Sequence, residues 1–157
     1  TLGSLIVEPF SVSHDAADPI GINVFAGNDK ATIVTDTGVI SDDILRRIDD
    51  TTLLVLEANY DPHMLRFGPY QPFLKQRVAS DEGHLSNEMA AQALLMMKRP
   101  DFMQVILAHR SENNNNSVLV TQTIGKMLVD GGVRIGPEMK LQHGQPNEIV
   151  SIQSVKR

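Results

Sequence analysis

Four short apolar runs in this chain each end on, or lead to, a residue type that ligates metal or moves protons. Leu5-Ile6-Val7 leads through Pro9 and Phe10 to His14. Ala31-Thr32-Ile33-Val34-Thr35 stops at Asp36, Leu53-Leu54-Val55-Leu56 at Glu57, and Val105-Ile106-Leu107-Ala108 at His109. Runs of this length and β-branched content read as buried strands. In open α/β sheets, ligands bind outside the carboxyl ends of the strands. Two histidines and two carboxylates are expected at those ends, which is the ligand chemistry of a hydrolytic divalent-metal site. His84, in Gly83-His84-Leu85-Ser86, stands before a capped helix and faces the same chemistry as an anion or proton partner. His63 and His143 lie in turn-rich contexts and read as surface residues. Taken singly, each candidate also reads as an ordinary turn, strand-end or core residue; their shared position at strand ends is what singles them out.

The elements that must position these residues follow from pattern. Residues 3–10, 22–26, 31–35, 52–56 and 103–108 read as strands. A hairpin link is expected at Gly27-Asn28-Asp29-Lys30. Ser41 caps a helix over 42–48, with acids first and bases last as the helix dipole prefers. Pro62, Gly68, Pro69 and Pro72 leave one short helix near 62–67 and another after 72. Ser86 caps a helix expected to run to about Lys98, and Pro100 lies beyond it. A further helix spans 116–129, stopped by Gly131-Gly132. The tail is expected to form a last hairpin, Met139 to His143 with Ile149 to Ile152, turning at Gly144-Gln145-Pro146-Asn147. Strands followed by strand–helix alternation define a layered α/β class in one domain over 1–157.

The bulk numbers exclude some partners. The chain has 157 residues, enough for one real core. It contains no cysteine, so any metal takes nitrogen and oxygen ligands, and a reducing cytoplasm fits. The formal net charge of −5 argues against a uniformly basic nucleic-acid coat. It leaves room for a phosphodiester substrate, because bound divalent cations dominate a local field. No apolar run approaches the roughly 20 residues that span a bilayer. The chain starts TLGSLIVEPF, without an initiator Met, and is expected to be a piece of a longer protein.

Five motifs together resemble the metallo-β-lactamase superfamily. They are Ser13-His14-Asp15-Ala16-Ala17-Asp18-Pro19-Ile20-Gly21, Thr35-Asp36-Thr37-Gly38, Leu56-Glu57-Ala58-Asn59-Tyr60-Asp61, Gly83-His84-Leu85-Ser86-Asn87-Glu88 and Leu107-Ala108-His109-Arg110-Ser111-Glu112-Asn113-Asn114. Within the superfamily they look closest to the bacterial WalJ/YycJ-like hydrolases, which are similar to the ribonuclease Z branch. The resemblance implies an αββα sandwich around a site for two divalent metals, zinc or manganese. It makes His14, Asp36 and His109 metal ligands, with Asp36 bridging. It places Glu57 and His84 as catalytic residues in proton transfer and phosphate contact. Ser111 and Asn113 would line the loop after His109, and Arg110, Lys75 and Arg77 would hold a phosphate backbone. The family's main ligand motif, His-x-His-x-Asp-His, is absent from this sequence. The chain therefore resembles the C-terminal half of that fold: one mixed sheet with its outer helices, holding at most one metal alone. The uncovered sheet face would need the missing N-terminal half, or self-association, to bury it.

The implied activity is that of a metal-dependent phosphodiesterase, a nuclease of the DNA-exonuclease kind, in the intact protein. Two other readings are kept. One is hydrolysis of small esters, thioesters or lactams on the same fold. The other is a non-catalytic interaction module that buries its open sheet face against a partner.

Overall fold

The computed structural model of the chain describes Thr1 and residues 3–152. Six strands form one sheet in sequence order: β1 (Ile6–Ser11), β2 (Ile20–Ala26), β3 (Asp29–Val34), β4 (Leu53–Glu57), β5 (Met103–Ala108) and β6 (Met139–His143). β1–β2 and β2–β3 are antiparallel; β3–β4, β4–β5 and β5–β6 are parallel. The sheet is mixed because the first connections are short and the later ones carry helices. The β2–β3 turn is only Gly27-Asn28, shorter than the expected link, since Ala26 pairs with Asp29. Gly27 takes a positive φ of 62°, which a two-residue hairpin turn demands.

The parallel pairs are joined by α1 (Asp42–Ile48), then α2 (Pro62–Phe67), α3 (Pro72–Val78) and α4 (Asn87–Met96), and finally α5 (Ser117–Asp130). Ser41, Asp61, Ser86 and Asn116 cap α1, α2, α4 and α5, each accepting a backbone N–H from the first turn. α4 ends at Met96, before the expected Lys98. The Met97 N–H still bonds the Ala93 carbonyl, but Met97 itself is extended.

Period-two alternation sorts the strand residues onto two faces. Val34, Leu54, Leu56, Val105, Leu107 and Met139 join one core with Ile44 and Ile48 of α1, Leu94 of α4 and Ile124 and Leu128 of α5. Phe10 lies in this core opposite Gly21, where a Cβ would come within 2.4 Å of the Phe10 ring. On the other face Ile22, Val24, Ala31, Leu53, Val55 and Ile106 are only half-buried, and Ile33 is exposed. Among the described residues this is the more open of the two apolar faces.

The expected last hairpin does not form. β6 pairs in parallel with β5, and residues 144–152 contain no strand. The parallel ladder to β5 takes one edge of Met139–His143. The Gly144 N–H then bonds the Leu107 carbonyl, carrying the chain beyond β5 instead of folding it back. No helix among the described residues is long and apolar enough to cross a membrane.

Candidate metal centre

The site grows from the carboxyl ends of β3, β4 and β5 and the loop after β1. Two residues there adopt the left-handed region: Asp36 (φ 55°) after β3 and His109 (φ 51°) after β5. Asp and His tolerate this conformation better than most, at roughly 1–2 kcal/mol each. The kinks turn the chain just beyond β3 and β5, at two of the candidate ligands.

Backbone hydrogen bonds stitch the loops into one frame. The Gly38 N–H donates to the Ser13 carbonyl (2.9 Å), and the Asp15 N–H to the Glu82 carbonyl (3.1 Å). The Asn59 N–H donates to Leu85 O, and the Ser111 N–H to Asn59 O. Gly38 permits this closeness: a Cβ there would lie 2.2 Å from the Ser80 carbonyl oxygen. Gly83 is equally pressed, 2.2 Å from the Arg77 carbonyl oxygen. Deeper in, a mutual amide pair links Asn87 and Asn115, the latter also donating to Ala58 O. That pair ties the starts of α4 and α5 to the end of β4.

Three imidazoles are then oriented through one nitrogen each. His14 Nδ1 lies 2.9 Å from the Gly83 carbonyl oxygen. His84 Nδ1 lies 2.6 Å and His109 Nδ1 3.0 Å from the same oxygen, Glu57 Oε1. The other Glu57 oxygen accepts the Thr37 N–H (3.1 Å). Glu57 is fully buried. Burial pushes its carboxyl up, but the hydrogen bonds from His109 and His84 and the Thr37 N–H outweigh this and hold it below the ordinary range. The same hydrogen bond lifts the His109 imidazole above its usual value, against the opposing effect of burial.

Asp36 stands between two of these rings. Its Oδ1 lies 3.8 Å from His14 Nε2 and 3.6 Å from His109 Nε2. Ligand atoms of His14, Asp36 and His84 fall within 4.8 Å of one another, as do those of Glu57, His84 and His109. The two groups share His84, but their geometry differs. In the second, the short contacts are Nδ1–carboxylate hydrogen bonds, the arrangement that fixes ring orientation around metals. The donor set fits a divalent ion: imidazole nitrogens turned by anchored Nδ1 atoms, with an exposed carboxylate between them.

A cleft of about 470 Å³ opens over this cluster. Arg77, Arg110, Ser111 and Asn113 line it with His14, Asp36, His84 and His109; Lys75 does not. Lys75 instead caps α2, its Nζ donating to Arg66 O (2.8 Å). Arg77 is bound bidentately by Asp15, whose carboxyl that guanidinium holds below its usual range. Arg110 Nη1 is enclosed with no protein hydrogen-bond partner among the described residues. Ser111 Oγ accepts the Asn114 N–H. Tyr70 and Leu74 also line the cleft, and no sequence signal singled them out. Tyr70 Oη meets Asn113 Nδ2 at 3.5 Å. His63 is exposed as expected. His143 is not a free surface residue: the end of β6 packs beside α5, its Nε2 lies 2.9 Å from Thr121 Oγ1, and burial pushes its imidazole down.

This mixed sheet with outer helices, carrying a histidine–carboxylate cluster at its strand ends, is the architecture of the metallo-β-lactamase fold. YhfI from Bacillus subtilis, a protein of that fold, superposes with a TM-score of 0.62 over 90% of this chain and 48% of its own, at 13% identity. The chain has the metallo-β-lactamase fold and is related in sequence to WalJ/YycJ-like exonucleases. It is 36% identical over 155 residues to the exodeoxyribonuclease YycJ of Bacillus anthracis, spanning 99% of this chain and 59% of that protein. It is 33% identical over 147 residues to the exodeoxyribonuclease WalJ of Streptococcus pneumoniae, spanning 94% of this chain and 55% of that one. The chain thus spans a little over half the length of these relatives. No protein-family model matches it.

Proposed function

We propose that this chain is the C-terminal half of a metal-dependent phosphodiesterase acting on DNA, of the exonuclease kind. The observation that carries this reading is the anchoring of His14, His84 and His109 through Nδ1, with Asp36 between the Nε2 atoms of two of them. Support for nuclease chemistry comes from the names of the two bacterial relatives.

His14, Asp36 and His109 would hold metal, zinc or manganese, with the remaining ligands of a two-metal site supplied by an N-terminal half. Bound there, the metals would lower the pKa of water and supply a nucleophile near neutral pH. Glu57 is fully buried and does not reach the cleft. It acts by holding the Nδ1 of His84, which directs the ring's Nε2 edge away from it to meet a phosphate oxygen or pass a proton. Arg110 lines the cleft and offers a charge-assisted donor to phosphate. Ser111 and Asn113 shape the wall beside it. Arg77 reaches the cleft already paired with Asp15, so its part is to fix the His14 loop as well as to lend charge.

The test offers the full-length protein bis-p-nitrophenyl phosphate and a β-lactam side by side, with zinc or manganese. The expected result is turnover of the phosphodiester alone, abolished by chelation and by His109→Ala. Full activity in His109→Ala, or turnover of the lactam instead, would overturn the reading.

A further inference from the structure

Residues 62–80 differ in kind from the rest of this acidic chain. They contain Arg66, Lys75, Arg77 and His63 and no Asp or Glu, in a protein of formal net charge −5. Of the chain's five phenylalanines and two tyrosines, Phe67, Tyr70 and Phe73 also fall here. Large aromatic side chains ordinarily bury their surface. Phe67 and Phe73 are instead 67% and 69% exposed.

The segment is nevertheless built to be rigid. Asp61 caps α2, and Pro62 and Pro72 start the two helices. Lys75 Nζ crosses from α3 to the last turn of α2. Leu65 and Val78 bury beside Tyr60, with Tyr70 and Leu74 packed against them. The exposed rings are therefore presented on a fixed scaffold. His63 packs at a tilt against Phe67, 4.6 Å between centroids, and the Arg66 guanidinium sits 5.3 Å from the same ring. No carboxylate pairs with Arg66 or Lys75 among the described residues.

The segment borders the metal centre. Tyr70, Leu74, Arg77 and Val78 form one wall of the cleft that holds His14, Asp36, His84 and His109. Exposed aromatic faces interleaved with cations that no carboxylate neutralises are the requirements of a single nucleic-acid strand: bases stack on rings, and phosphates meet the charges. A duplex keeps its bases stacked on one another and cannot use such rings.

We infer that α2, α3 and their link form a stacking platform for single-stranded DNA. Phe67 and Phe73 receive unpaired bases, Arg66 and Lys75 neutralise the phosphates between them, and Tyr70 leads the strand end to the metal centre. This deepens the proposed function and rests on it for the direction of the strand.

The test measures binding apart from turnover. Fluorescence anisotropy of a labelled fifteen-nucleotide oligothymidylate, and of a duplex of equal length, is read against the full-length protein in excess chelator. Phe67→Ala/Phe73→Ala is expected to weaken single-strand binding by about tenfold or more while leaving duplex binding alone. Arg66→Gln/Lys75→Gln is expected to reduce the slope of log K against log salt by about 1.4, near 0.7 for each phosphate no longer neutralised. Phe67, Phe73 and Arg66 are exposed, so an unchanged thermal melt accompanies the aromatic result; Lys75 is half-buried and bonds Arg66 O, so a modestly lowered melt is expected for Arg66→Gln/Lys75→Gln, whose readout is the salt slope. Single-strand affinity equal to the parent's in the aromatic variant, equal losses on strand and duplex, or an unchanged salt slope would each overturn the platform. Hydrolysis of bis-p-nitrophenyl phosphate by the unaltered protein separates the two claims: turnover without a platform effect leaves the proposed function standing and removes only this inference.

Discussion

Glu57 Oε1 is shared by the Nδ1 atoms of His84 and His109, at 2.6 and 3.0 Å, although these histidines lie 27 and 52 positions away in sequence. One buried carboxylate therefore sets the orientation of two of the three rings at the metal centre. Loss of such an outer partner typically lowers metal affinity by about 10–100-fold.

Glu57→Gln keeps the shape but replaces one accepting oxygen with a donor, which cannot receive an imidazole N–H. We expect the variant to lose about 1.5–3 kcal/mol for a charge-assisted buried hydrogen bond. Its affinity for zinc should fall within the range above. Thermal melts and calorimetric metal titration measure the two effects separately. A variant with unchanged melting temperature and unchanged affinity would show that the rings do not depend on Glu57.

The direction of the Glu57 shift fixes an acid-side pH dependence in the metal-free protein. Its folded carboxyl is held below the ordinary 4.5, so below that pH the unfolded chain binds a proton that the folded chain does not. The stabilisation is complete above 4.5 and is lost as pH falls through the depressed value. His109 acts in the opposite sense. Its imidazole is held above 6.5, so its contribution is complete below 6.5 and is lost as pH rises through the raised value. The difference in melting temperature between the parent and Glu57→Gln, followed with pH in excess chelator, should shrink on both flanks. A difference independent of pH would contradict the charged pairing.

Gly38 carries no chemistry, yet its replacement should disable the site. An alanine Cβ would lie 2.2 Å from Ser80 O and 2.4 Å from the Asp81 carbonyl carbon, both backbone atoms that cannot swing aside. Separating the loops costs about 1–3 kcal/mol by analogy with overpacked cores. It also strains the Gly38–Ser13 hydrogen bond that holds the His14 loop. Gly38→Ala should melt lower and bind metal more weakly, whereas Gly132→Ala is a control for backbone effects in open space, with φ 85° and no neighbour within 4 Å of a Cβ. Wild-type metal affinity in Gly38→Ala would show that the loops can part without disturbing the ligands.

The strand ends were legible because buried strands write themselves as apolar runs, and a polar residue closing such a run has few places to go. Leu53-Leu54-Val55-Leu56 thus exposed Glu57 as a residue needing partners, but not which partners, since both come from loops far along the chain. Helix starts were legible through Ser41 and Ser86, whose side chains cap as expected. The tail misled because Met139–His143 could pair on either edge, and the parallel ladder to β5 is a tertiary choice. Arg77 reads as a free base until Asp15, 62 positions earlier, is folded against it. Tyr70 sits between two prolines in a stretch without periodicity, so nothing local announces its place in the cleft.

The metal centre itself is tested most simply by metal content per chain of the full-length protein after dialysis, measured by elemental analysis beside His14→Ala and Asp36→Ala. We predict bound zinc or manganese in the parent and a reduced content in both variants, because His14 and Asp36 meet at the Nε2 edge of the cluster. A parent protein that retains no divalent metal, or variants that retain as much as the parent, would contradict the assignment of these residues as ligands.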